Sequence, residues 1–209
     1  MLKKHKDKGL WVLFFFNIYS FSNNLIIING WYSVIIRNVY IFYRLFTILG
    51  YTFIALFFFK NIISRLIKKA IVITYIILFA YAIYDFLTSP KESFDSIPSS
   101  IEAILIIIFS IFYLFEQIKN PKVLFIYTLD KFWIVASFLL YYTGTFFLFI
   151  YAEAYFVDPS FNENYYFINN VFLLLKNIVF SVGLLVKNKS DDYSADNYPD
   201  FDSLLEKRF

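Results

Sequence analysis

The sequence contains no cysteine and a single histidine among its 209 residues. Without cysteine the chain can form no disulfide bond and offers no thiol nucleophile or thiolate ligand for zinc. The one histidine, His5, lies in a lysine-rich leader, so the predicted folded body has no imidazole for acid–base catalysis. The sequence therefore predicts no metal site, no cofactor and no catalytic residue set.

Charge is also scarce relative to apolar side chains. Hydrophobic residues make up 60% of the chain and charged residues 17%, whereas a soluble domain is about half apolar. A chain of this length could not bury so much apolar surface in a soluble core, so composition predicts a membrane protein whose first partner is the lipid bilayer. The net charge of +3 is too small to predict a nucleic-acid partner.

Six apolar segments are long enough to cross a bilayer, which takes about 20 residues of helix. The first contains Asn17, Asn23 and Asn24, so a shorter or partly re-entrant segment is the alternative there. We predict an all-α, polytopic helical membrane bundle, residues 10–187, with six transmembrane helices: 10–28, 39–59, 70–87, 101–118, 132–152 and 166–186.

Basic residues predict the orientation of these helices, because cytoplasmic loops are enriched in lysine and arginine. Placing the N-terminus in the cytoplasm puts all but four of the nineteen basic residues on the inner side. We therefore predict an inner-membrane protein with both termini cytoplasmic. Residues 1–9 form a basic leader, and residues 188–209 form an acidic tail with a short helix near its end.

The stretch between the third and fourth spans contains two prolines and four serines. Such a composition is typical of loops. We predict an outer loop over residues 88–100, with Ser99 or Ser100 capping the fourth helix.

Polar residues follow single faces of the predicted helices, at spacings of three and four residues. Lipid offers these groups no hydrogen bonds, so the polar faces should meet inside the bundle. Most of the charged positions fall in the outer half, which predicts a polar cavity that opens outward. The predicted ligand-binding or intramembrane polar cluster is Arg37, Arg44, Asp85, Glu102, Tyr141, Asn170, Lys176 and Asn177.

Lys176 is the deepest charge, near the middle of the last span. A charge at the bilayer centre costs from about 2.5 to above 10 kcal/mol. Lys176 therefore needs water, neutralisation or a carboxylate, and Asp85 and Glu102 are the candidate partners. For Arg37 and Arg44 three interpretations are open: a site for an anionic ligand, ion pairs with those same carboxylates, or contact with lipid headgroups.

Residues 99–150 resemble a group of multi-pass inner-membrane proteins of Bacteroidota. The resemblance is carried by three short motifs: Ser100-x-Glu102 at the start of one span, Phe132-Trp133 at the start of the next, and Tyr141-x-x-Gly144 within it. It implies that some relatives are encoded beside sensor histidine kinases, which favours signalling. It implies no particular activity.

Three functions fit these features. The first is a non-catalytic sensor or accessory subunit, with a ligand in the outer cavity and a cytoplasmic or membrane protein partner at the tail, 190–209. The second is a small transporter or channel with Lys176 at the midplane, where substrates and coupling ions bind. The third is a membrane-embedded lipid-modifying enzyme that uses Asp85 and Glu102 as an acid–base pair.

Overall fold

The fold is a bundle of long α-helices. A computed structural model describes residues 8–28, 30–31, 39–88, 95–119, 125–155 and 159–186. Within these ranges the regular elements are all helical, apart from one short 3-10 turn at Ile126–Thr128. The long helices are α1 (Lys8–Ile28), α2 (Val39–Asn61), α3 (Arg65–Thr88), α4 (Ser96–Lys119), α5 (Asp130–Tyr155) and α6 (Pro159–Leu185).

Helices α2 to α6 are long and apolar enough to cross a membrane, so the chain is a multi-pass helical membrane protein. The outward surface of α3 illustrates the reason. It exposes large apolar side chains along its whole length, such as Ile73, Ile77 and Leu87, and a surface of this kind is unfavourable in water and is typical of contact with lipid or with another apolar surface. The six-span count and the orientation stay predictions, and most of the leader and the tail beyond residue 186 lie outside the described residues.

Several helices extend beyond the predicted spans. Helix α3 begins at Arg65 rather than at residue 70, and α6 begins at Pro159 rather than at residue 166. An apolar window marks only the hydrocarbon crossing, whereas a helix continues into the headgroup region, where water and headgroups solvate its polar side chains.

The predicted loop before α4 is the clearest error. Helix α4 begins at Ser96, so Ser99 and Ser100 lie inside it and neither residue caps it. The hydroxyl of Ser100 donates instead to the Ser96 carbonyl at 2.6 Å. Pro98 does not break this helix because it lies in the first turn, where a backbone N–H has no helical partner.

The bundle is built around α2 and α5. Helix α2 packs against α1, α3 and α4, while α5 packs extensively against both α4 and α6. Aromatic rings fill the axis between them: Phe138 of α5 lies 6.3 Å from Phe16 of α1 and 6.1 Å from Phe57 of α2, centroid to centroid. Phe58 and Phe109 continue this aromatic layer toward α4.

A carboxylate fastens the turn between α2 and α3 to the end of α4. Glu116 accepts hydrogen bonds of 2.7 Å from the backbone N–H groups of Ile63 and Ser64, one at each oxygen. These N–H groups precede the first turn of α3, where the helix leaves donors unpaired and favours a negative charge. Glu116 thereby links three helices at this end of the bundle.

Candidate functional site

A polar cavity of about 270 Å³ lies in the half of the bundle where α2, α4 and α6 begin and where α1, α3 and α5 end. We call this the cavity end. Tyrosine, asparagine, hydroxyl and carboxyl side chains dominate the wall. The polar lining residues include Tyr43, Thr47, Asp95, Glu102, Tyr141, Tyr142, Tyr165, Tyr166, Asn169 and Asn170.

Hydrogen bonds between helices hold the cavity wall in place. The phenol of Tyr142 on α5 donates to Oε1 of Glu102 on α4 at 2.8 Å. The phenol of Tyr141 donates to Oδ1 of Asn169 on α6 at 3.0 Å. The hydroxyls of Thr47 on α2 and of Ser99 on α4 lie 3.1 Å apart. Hydrogen bonds in a low-dielectric interior are strong and directional, so the wall is a preorganised surface.

Asp95 occupies the cavity end of α4, immediately before the helix begins. Its side chain is only 3% exposed, and its Oδ1 has no hydrogen-bond partner among the described residues. Burial raises the pKa of the Asp95 carboxyl from 3.8 to about 6, although the Thr47 hydroxyl and the Arg44 charge act to lower it. The wall therefore contains a carboxylate with unused acceptor capacity.

Arg44 of α2 and Asp85 of α3 form an ion pair beside the cavity. Their side chains approach to 3.9 Å and are 5% and 16% exposed. The guanidinium also lies 5.8 Å from the centroid of the Phe86 ring. Of the three open interpretations for Arg44, the ion pair is the one that matches this geometry, and Arg37 lies outside the described residues.

Lys176 lies on the buried side of α6, with its side chain 5% exposed. Its ammonium is 5.0 Å from the centroid of the Tyr141 ring and 5.6 Å from that of Phe16. Among the described residues Lys176 forms no ion pair. Of its two predicted partners, Asp85 pairs with Arg44 and Glu102 accepts a hydrogen bond from Tyr142. Cation–π contacts of up to about 2 kcal/mol each offset the lower estimates of its burial cost.

The two predicted asparagines of α6 lie on different surfaces. Asn170 is exposed and lines the cavity. Asn177 is exposed and lines a groove of about 410 Å³ between α1 and α6. Leu173 lies on the wall of both spaces, so the groove and the cavity are neighbours separated by an apolar side chain.

The cavity thus brings together Glu102, Tyr141 and Asn170 of the predicted cluster, with Arg44, Asp85 and Lys176 just behind its wall. Sequence reasoning missed Asp95 as a cavity residue. A signal for Asp95 existed: an aspartate before Ser-Ile-Pro is a typical helix start, with the acid at the N-cap and proline in the first turn.

The wall of the site offers hydrogen-bonding and acidic groups. The described lining residues include two carboxyl groups and several phenols but no basic side chain. No group of three histidine, aspartate or glutamate side chains in the described ranges is arranged to hold a metal ion. Comparison with known proteins finds no matching family model, no similar curated protein and no similar solved structure.

Proposed function

We propose that the chain is a six-span inner-membrane protein with cytoplasmic termini, acting as a non-catalytic sensor or accessory subunit. Its cavity, which opens to the periplasmic side in this orientation, binds a small ligand, and the tail 190–209 contacts a cytoplasmic or membrane protein partner. The observation that carries the proposal is a preorganised polar cavity that ends at the packed aromatic layer.

The aromatic layer favours binding over conduction. Phe57 and Phe58 are fully buried, and Phe138 is 1% exposed, so the axis below the cavity is filled with rings. A transporter needs a route that opens alternately to both sides, whereas a sensor needs only a site whose occupancy alters helix packing. A cavity that ends at the aromatic layer supports the sensor.

The separate partners of Asp85 and Glu102 argue against the enzyme alternative. Asp85 pairs with Arg44, and Glu102 accepts the phenol of Tyr142. A general acid and a general base must both reach one substrate. Here each carboxyl is held in place by its own partner, as expected for residues that shape a site.

Single-cysteine labelling tests the architecture, because every introduced thiol is unique in a cysteine-free chain. Asn170→Cys at the cavity should react with a membrane-impermeant maleimide in intact cells. Lys69→Cys, exposed at the opposite end, should react only after permeabilisation. The reverse pattern would refute the orientation and the periplasmic opening of the cavity.

The role as a sensor or accessory subunit is tested by deleting residues 190–209. We expect the shortened protein to insert normally but to lose its crosslinks to its protein partner in cells. Undiminished crosslinking would remove the tail from the mechanism. Solute flux into proteoliposomes, if abolished by Lys176→Ala, would instead favour the transporter.

A further inference from the structure

We infer that the ligand of the polar cavity is an organic cation, a protonated amine with a small apolar body, and that Asp95 is its ion-pair partner. This inference rests on the proposed function, since it names the class of ligand that the same cavity takes. Three features of the cavity carry it: the carboxyl groups, the aromatic faces and the volume.

The Asp95 carboxylate gives the cavity its negative character. Asp95 lines the cavity and is 3% exposed, and its Oδ1, which is buried within the protein, has no hydrogen-bond partner among the described residues. An ionised carboxylate that is buried and incompletely paired is costly, and a cation that arrives in the cavity removes this cost. Glu102 adds a second carboxyl group to the same wall.

The basic side chains near the cavity are already engaged. Arg44 pairs with Asp85 at 3.9 Å, and Lys176 lies over the rings of Phe16 and Tyr141. Neither is among the residues that line the cavity. An anionic ligand would therefore meet the Asp95 carboxylate, and no basic residue of the described wall would pair with it.

The aromatic faces provide the second half of a cation site. Tyr43, Tyr142, Tyr165 and Tyr166 border the cavity, whereas the ring of Tyr141 already faces Lys176. A ring face attracts an ammonium group by about 0.5 to 2 kcal/mol, more strongly when water is excluded. The phenol oxygens also accept N–H donors, so the same walls can bind both the charge and the apolar body of an amine.

The volume sets the size of the ligand. About 270 Å³ is the space of roughly nine water molecules in the liquid, at about 30 Å³ each. An amine with about that number of non-hydrogen atoms fits, and 2-phenylethylammonium is a suitable probe. The ammonium could belong to a free amine or to the headgroup of phosphatidylethanolamine, and the two sources need separate arms of the test.

The main test compares three probes of nearly equal size on the purified full-length protein in phosphatidylglycerol nanodiscs, by calorimetric titration at constant ionic strength. They are 2-phenylethylammonium, neutral 2-phenylethanol and anionic phenylacetate. We expect the ammonium to bind at least about tenfold more tightly than either of the others, because only it gains the ion pair. Equal or tighter binding of the alcohol or the carboxylate would overturn the inference.

A variant pair locates the charge. Asp95→Asn should weaken ammonium binding by about tenfold or more and leave alcohol binding unchanged. Glu163→Gln is the matched control, because it removes one exposed carboxylate at the same end of the bundle without lining the cavity, and it should bind like the wild type. If Asp95→Asn bound the ammonium as tightly as the wild type, Asp95 would not be its ion-pair partner. The comparison of the three probes uses the wild type alone and does not depend on the folding of a variant.

A lipid arm distinguishes the two sources of the ammonium. If the lipid headgroup is the occupant, adding phosphatidylethanolamine to the nanodiscs lowers the apparent affinity of the wild type for the probe. If a free amine is the occupant, adding this lipid has no effect on the affinity. Either result retains the ammonium class. If no probe binds while Asn170→Cys is still labelled from the periplasm, the ammonium inference fails and the proposed cavity stands.

Discussion

The Lys176 ammonium faces the ring of Tyr141 at 5.0 Å from the centroid. The same tyrosine donates its hydroxyl to Asn169 inside the cavity. Tyr141 therefore touches the buried cation with its ring and the cavity with its oxygen. A ligand that displaces Tyr141 would change the environment of Lys176 directly.

The Lys176–Tyr141 contact can be measured with a double-mutant cycle. Tyr141→Phe keeps the ring and loses the hydroxyl, whereas Tyr141→Leu loses both. In the wild-type background, we expect the leucine variant to be less stable than the phenylalanine variant by about 1–2 kcal/mol beyond packing effects, since the ammonium loses an aromatic face. In a Lys176→Met background this extra difference should vanish.

Denaturant titration in detergent micelles provides the four free energies of unfolding that the cycle needs. The methionine background is the control, because methionine is an unbranched side chain only one atom shorter than lysine and lacks the ammonium group. An identical difference between the two tyrosine variants in both backgrounds would show that the ring packs without binding the cation.

Asp95→Asn should stabilise the ligand-free protein at neutral pH. The pKa of Asp95 is raised from 3.8 to about 6 by burial, so ionisation is harder in the folded state than in the unfolded state. The free energy of unfolding should therefore fall by up to about 3 kcal/mol as pH rises from about 4 through about 6. The asparagine variant cannot ionise there and should lack this fall.

The measurement is the difference between the wild-type and Asp95→Asn unfolding curves across this pH range. Arg44 and Asp85, whose charges act on Asp95, are present in both proteins, so their own effects largely cancel. Curves that stay parallel would contradict the raised pKa. Gain of stability with loss of ligand binding is a common trade-off at functional sites.

Gly144→Ala should loosen the pairing of α5 and α6. A methyl group at this position would collide with the ring of Phe172, and overpacking of this kind costs about 1–3 kcal/mol. Gly50→Ala is the matched control. Its methyl group would lie 3.8 Å from Glu102 Oε1 and from the Phe16 ring, which is ordinary contact.

Thermal unfolding of the two glycine variants checks this prediction. The Gly50 variant should be unchanged or more stable by up to about 1 kcal/mol, because alanine favours helix over glycine. Equal destabilisation of both would show that a general intolerance of glycine replacement, rather than the Phe172 contact, decides the outcome.

Glu116→Ala should destabilise the end of the bundle opposite the cavity. It removes the acceptor for the N–H groups of Ile63 and Ser64, and hydrogen bonds to charged groups contribute about 1.5–3 kcal/mol each when protected from water. Glu116→Gln keeps one acceptor oxygen and should lose about half as much. Hydrogen exchange of these two amides, measured against an amide of α6, reports the loss locally.

Much of this architecture follows from simple spacing rules. Glu102 lies inside the bundle, as its three- and four-residue spacing to other polar positions of α4 indicates. Lys176 lies between α1 and α5. A charged side chain in the middle of an apolar helix is unfavourable in lipid, so a position inside the bundle is expected for it. The positions of Glu102 and Lys176 can both be predicted from the geometry of one helix and from the absence of water in hydrocarbon.

What could not be predicted depends on how the helices pack. Tyr142 follows Tyr141 and points about 100° away around α5, yet both are buried, because α4 and α6 flank α5 on different sides. Asn177 likewise follows Lys176 but faces the groove. One helix does not reveal which of its sides meets a neighbour, so the partners of Glu102 and of Lys176 could not be read from the sequence.

The layer of phenylalanine rings beneath the cavity has a kinetic consequence. An occupant that cannot travel deeper must leave by the side from which it entered, so its dwell time depends on its contacts in the cavity and on the residues at that opening. Tyr43 of α2 and Tyr166 of α6, whose hydroxyls meet at 3.2 Å, border the cavity, and Tyr166 is exposed. They are the first residues at which to alter the rate of escape while leaving the floor intact.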